Sequence, residues 1–191
     1  MGAINLTNRE KEILSNQYDE NKLSFERILA RDLRAFFANL GSDIFASFAE
    51  IGLPPDFNAY LEELSAILRK NYRKTGAFFS SHIQRLLKEV VPKDTAHEEL
   101  VKDTQEERTK IEAALLLLLI PFYQSQSAQQ ARFILQTTKT IVDKERIKAL
   151  SENALSDNPL TQTQLARKIA KEVTRRNMNR VKSIAADQTG T

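Results

Sequence analysis

Phe25-Glu-Arg-Ile-Leu29-Ala-Arg-Asp-Leu33-Arg-Ala-Phe36-Phe37-Ala-Asn-Leu40 sets apolar side chains three and four positions apart, and Ile44, Phe48 and Ile51 continue the series. That step is the period of one buried face on a helix. It predicts helical structure from about Phe25 to Ile51, with Gly41-Ser42-Asp43 dividing it in two and Pro54-Pro55 ending it, since proline cannot donate a ladder hydrogen bond. Working outward, Thr7-Asn-Arg-Glu10 has capping-box spacing. A further helix is expected from Asp56 to Tyr72 with Leu61, Leu64, Ile67 and Leu68 inward. Lys74-Thr75-Gly76 is expected to turn the chain into another, carrying Phe79, Ile83, Leu86, Leu87 and Val90 until Pro92.

Beyond Pro92, Thr95-Ala-His-Glu98 offers a second capping box for a helix holding Ile111 and the run Leu115 to Ile120 before Pro121. A helix apolar all round over two turns is either buried on every side or docked on another chain. Ser125 to Gln130 reads as a new helix or a flexible link, and Ala131 to Ala149 returns to the helical step with Phe133, Ile134, Ile141, Val142 and Ile147. Asn153 to Pro159 is rich in turn formers. After it, Thr161-Gln-Thr-Gln-Leu165-Ala-Arg-Lys-Ile169-Ala-Lys-Glu-Val173 reads as a capped amphipathic helix. No run alternates with period two and no repeat is evident. The expected fold is all-α: an extended bundle or arm of about seven helices, divided into an N-terminal region 1–124 and a C-terminal region 125–191.

Composition narrows the function. The 191 residues are 41% hydrophobic and 28% charged, with five Gly, five Pro, no Cys and no Trp, a profile suited to helices. Absence of Cys removes disulfides, thiolate metal sites and Cys nucleophiles. Two histidines, His82 and His97, are too few for a histidine metal cluster. Met1 to Asn21 has no apolar core of a signal peptide, and Ala113 to Tyr123 is well short of the roughly 20 residues of a membrane span. No phosphate loop, H-E-x-x-H or G-x-S-x-G pattern occurs. Carboxylate pairs such as Glu62-Glu63, Glu98-Glu99 and Glu106-Glu107 are sequence neighbours that do not face one another on a helix. The expectation is a non-enzyme without cofactor, metal or small-molecule substrate, either intracellular or bound to a particle.

Charge is uneven. The net charge is +3, yet Thr163 to Lys182 alone carries +6, leaving −3 on the rest. At 100° per residue, Arg167, Lys168, Lys171, Arg175 and Lys182 project to one side, and Leu165, Ile169, Val173 and Ile184 to the other. Such a stripe suits either plain solvation or contact with phosphates, the latter blind to sequence because no aromatic side chains are interleaved for stacking. On a continuous helix Arg176 and Arg180 fall on the apolar side, so a break at Asn177-Met-Asn179 is expected. Arg180 then serves a structural role, with Asp187 a candidate partner.

The pair of segments Thr161 to Val173 and Arg180-Val-Lys-Ser-Ile184-Ala185-Ala-Asp187-Gln188 resembles the entry to the Mu F-like head morphogenesis domain of tailed bacteriophages. In that family a helix of the form S/T-x-x-x-L/I-A-x-x-I leads into an arginine followed by an I-A pair and an acidic or amide residue. Ala186 departs from the arginine usual there. The resemblance covers about thirty residues. It implies a minor head protein inside the capsid near the portal vertex, and in the host cytoplasm during assembly. The implied partners are the portal, the major capsid protein and packaged DNA, and the implied role is head morphogenesis, DNA packaging or delivery. Family members continue into a small mixed domain whose His and Cys residues have no counterpart here. On this reading, Phe36, Phe37, Phe48, Leu115, Leu116, Leu119 and Ile120 are candidate docking residues, although for the phenylalanines an internal core is the default and docking the alternative. A sequence-blind nucleic-acid-binding module and a helical adaptor are the rival functions.

Overall fold

The computed structural model describes residues 8–90 and 98–189, with side-chain environments described for 19–76 and 119–189. Among the described residues there are four helices: α1 (Asn8–Ile51), α2 (Leu61–Val90), α3 (Glu98–Ala154) and α4 (Gln162–Thr189), with a short 3-10 turn at Phe57–Tyr60 before α2. No strand occurs among the described residues.

Cross-links between the helices give the topology. Asp43 meets Tyr60 and Asp32 meets Lys70, so α1 and α2 run antiparallel. Glu152 meets Lys168 and Gln130 meets Gln188, so α3 and α4 do too. Gln162 touches the last turn of α1 and Thr189 reaches Glu26, which sets α4 antiparallel along α1. The result is an up-down-up-down bundle in which α4 packs chiefly on α1 and α3 on α2.

The core follows the helical period. Leu29, Leu33, Phe36, Phe37, Leu40, Ile44 and Phe48 of α1 are buried against Leu64 and Leu68, Ile134 and Val142, and Ile169, Val173, Val181 and Ile184. Phe36 sets its ring edge-on to Phe37 at 5.4 Å and to Tyr60 at 6.4 Å. Each large apolar side chain buried this way contributes roughly 1.5–3 kcal/mol. Phe36, Phe37 and Phe48 therefore belong to the core and are not a free docking face. Phe133 and Ile147, expected inward, are 67% and 68% exposed. Phe133 adjoins Ile134, and neighbouring positions on a helix differ by 100°, so one stripe cannot hold both.

Helix ends are built as their sequences dictate. Gly52 takes a positive φ of 69° and returns its N–H to the Phe48 carbonyl, closing α1 ahead of Pro54 and Pro55. Gln162 donates from Nε2 to the Phe48 and Ala49 carbonyls at 3.2 and 3.1 Å, so the first residue of α4 caps the last turn of α1. Thr161 and Gln164 form a reciprocal capping box: Thr161 Oγ1 accepts from the Gln164 N–H, and Gln164 Oε1 accepts from the Thr161 N–H. The capping boxes expected from Thr7 and Thr95, and the helix stop at Pro92, lie outside the described residues.

Among the described residues there are four helices, and three of the breaks expected for a seven-helix chain are continuous helix. Gly41 lies inside α1, where a Cβ would run into Thr174 Oγ1. Gly76 lies inside α2, where a Cβ would crowd the Tyr123 hydroxyl. Both glycines admit a neighbouring helix rather than turn the chain. Pro121 lies within α3, exposed, and Ser125 to Gln130 continues the same helix. The expected boundary between residues 124 and 125 thus falls inside α3, and α1 and α4 share one core.

Candidate functional site

α4 brings together most of the residues singled out in the sequence. Its inner face buries Ala166, Ile169, Ala170, Val173, Val181, Ile184 and Ala185, so Ile184 and Ala185 are core residues. Arg167, Lys168, Lys171, Arg175 and Lys182 are all exposed, as the 100° step requires. They are not electrostatically equal. Lys168 donates to Glu152 at 2.7 Å, and that contact holds the Glu152 carboxyl below its ordinary range. Arg175 is paired with Glu172, whose pKa is held down to about 2 by the Arg175 hydrogen bond and then by Arg176. Arg167, Lys171 and Lys182 have no ion pair among the described residues. These three are the cations an anionic partner would meet.

The helix is unbroken through Asn177-Met178-Asn179, correcting the expected interruption. Two arginines therefore do turn toward the bundle, and each has its own solution. Arg176 bridges Glu145 of α3 at 2.7 Å and Glu172 of its own helix at 3.3 Å, so the buried Glu145 carboxylate has a partner. Arg180 does not pair with Asp187. Its Nη1 donates instead to Asn177 Oδ1 at 3.1 Å, and Asn177 itself is buried beside Thr138. Burial lowers the Arg180 pKa.

Arg180 opens onto a cavity of about 760 Å³ between α2, α3 and α4. Ile134 and Ile184 form buried parts of its wall, and Phe122 and Phe133 exposed ones. Tyr72 lies roughly parallel to Tyr123, ring centres 6.4 Å apart. The Tyr72 hydroxyl donates to Gln188 Oε1, and Gln188 Nε2 donates onward to Gln130 Oε1 at 3.4 Å. Burial pushes the Tyr72 phenol up to about 12, so it stays a donor. Asp187, on the exposed side, also lines the cavity. Of these residues Arg180, Ile184, Asp187 and Gln188 belong to the sequence motif, and Phe133 and Ile134 were expected only as part of a helical stripe. Tyr72 stands on α2 and Gln130 and Phe133 on α3, far from α4 in the chain, and no local spacing links the three helices here.

Leu119 and Ile120 are 38% and 39% exposed, with Phe122 more so, giving an apolar patch on α3. Side chains of Leu115, Leu116, Phe78, Phe79, His82 and His97 lie outside those described. Among the described residues no group of three His, Cys, Asp or Glu could hold a metal ion, and no helix is long and apolar enough to cross a membrane. In comparisons with known proteins, no family model, curated protein or solved structure matches the chain.

Proposed function

We propose that this chain is a structural minor head protein of a tailed bacteriophage, docked at the portal inside the capsid and acting in head morphogenesis, DNA packaging or delivery. The observation that carries the reading is the residue pattern of α4, Thr161 to Gln188, which resembles the entry to the Mu F-like domain. The capping box at Thr161 and the buried Ile184-Ala185 pair give that pattern a structural reason in this chain. The exposed Leu119, Ile120 and Phe122 supply an apolar surface for a portal or capsid wall. The test is the copy number of this polypeptide in purified particles from its source, quantified beside the portal. A low-copy virion component is the expected result; absence from particles removes the reading.

Arg167, Lys171 and Lys182, exposed and without an ion pair among the described residues, favour a second reading, sequence-blind contact with nucleic acid. Duplex affinity should then fall steeply with salt, each neutralised phosphate adding roughly 0.9 to the logarithmic slope. Replacing all three with Glu should lower that slope by roughly 3, and leave the far-UV circular dichroism unchanged because the positions are exposed. A salt-independent affinity, or none, leaves an adaptor whose partner is a protein.

A further inference from the structure

We propose that the cavity between α2, α3 and α4 binds a small organic carboxylate, its headgroup on Arg180 and its apolar body against Phe122, Phe133 and Ile184. Arg180 offers five N–H donors in a fixed fork, and its one hydrogen bond to a described residue goes to a neutral acceptor, Asn177 Oδ1. No carboxylate lies within 4.0 Å of it among the described residues, Asp187 included, whereas Arg176, one turn earlier, engages two. A half-buried cation without a counter-ion is costly to hold, and a planar carboxylate matches its fork.

The rest of the wall selects the ligand. Its volume of about 760 Å³ lies in the range of small-molecule sites, roughly 300–1,000 Å³. Apolar surface predominates in the wall, with Gln126, Gln130 and Gln188 among its polar groups and Asp187 on its exposed side, which disfavours a compact, strongly hydrated anion such as inorganic phosphate. The Tyr72–Gln188–Gln130 chain fixes the orientation of two amides on the polar side. One charged head and an apolar body is the chemistry these surfaces share. Nothing in it depends on the head-protein reading.

The test is calorimetric titration of the full chain with naphthoate and with its uncharged twin, naphthylmethanol, with octanoate as an aliphatic arm. Naphthoate or octanoate should bind at least about tenfold more tightly than the alcohol, the order expected of one charge-assisted pair. The tighter of the two acids assigns the body as aromatic or aliphatic. Arg180→Gln should erase the preference while binding of the alcohol persists. Equal affinity for acid and alcohol overturns the proposal. So does a preference that survives Arg180→Gln, or no binding at millimolar concentration. If Arg180→Gln loses helicity, Phe122→Ala decides instead. Phe122 is an exposed part of the wall, so its truncation should weaken both probes at least about threefold, and unchanged affinities overturn the site.

Discussion

At the scale of single residues, the two arginines turned inward from α4 show how position alone decides a charge's role. Arg176 neutralises Glu145, which is buried on α3, and shares its guanidinium with Glu172. Removing it with Arg176→Met leaves a buried carboxylate alone, at a cost of about 2 kcal/mol, because a buried acceptor without its donor keeps its full desolvation penalty. Adding Glu145→Leu should recover most of that loss, since a buried ion pair and a packed apolar pair are often nearly equivalent. Urea denaturation of both variants checks it; equal instability of the single and double variants would refute the pairing. Tyr72 supplies a pH signature. Its folded pKa of about 12 stands above the ordinary 10 of the phenol, so unfolded chains lose the proton first. Stability present below pH 10 should therefore decline as pH rises from 10 toward 12. Tyr60, also raised to about 12 by burial and by its bond to Asp43, adds to the same window. Tyr72→Phe should flatten the decline in urea midpoint across that window, at the expense of the bond to Gln188 at neutral pH.

At the scale of elements, the helical stripes were legible because burial and a 100° step leave a direct mark on sequence, as Leu29 to Phe48 and Leu64 to Leu68 show. The proline pair Pro54-Pro55 and the cap at Thr161 were legible for the same local reason. Gly41 and Gly76 were not. A glycine that breaks a helix and a glycine that lets another helix approach look identical in one dimension, and only the partner across the gap separates them. Here the partners are Thr174, on a helix whose first residue is more than a hundred positions away, and Tyr123. The charge face of α4 was readable, as was Glu172 three residues before Arg175, but the pairing of Lys168 was not, because Glu152 belongs to α3. The Gly41 account makes its own prediction. A Cβ there must displace the Thr174 hydroxyl, so Gly41→Ala should change stability little or lower it despite a helix propensity gain of about 1 kcal/mol. Removing the obstruction with Thr174→Ala should release that gain, making the double variant more stable than Thr174→Ala alone by about 1 kcal/mol. Additive effects in a double-mutant cycle would show that the two positions do not touch.

At the scale of the whole molecule, α3 sets the dimensions. Its 57 residues make a rod of about 86 Å if straight, at 1.5 Å rise per residue. A compact domain of this chain length has a radius of gyration near 16 Å, hence a width of roughly 40 Å. A helix twice that width cannot be enclosed, so the shared core of α1, α2, α3 and α4 occupies only part of its length, with exposed Leu119, Ile120 and Phe122 toward its middle. With α3 straight, the body is elongated and exposes apolar side chains on that helix, which would suit the proposed docking between other subunits. Small-angle scattering of the isolated chain as a monomer should then give a radius of gyration above about 20 Å, with a distance distribution tailing well past the width of a globule. A value near 16 Å would mean that α3 folds back, Pro121 being the position where the missing N–H and ring clash would let it bend. In that case the apolar patch on α3 would be covered by the chain itself, and docking on a portal would need a different surface. Addition of a purified portal ring separates the remaining possibilities: an elongated chain that leaves its exposed α3 patch accessible to the ring should co-sediment with it, and Leu119→Asp with Phe122→Asp should abolish the association without loss of helicity.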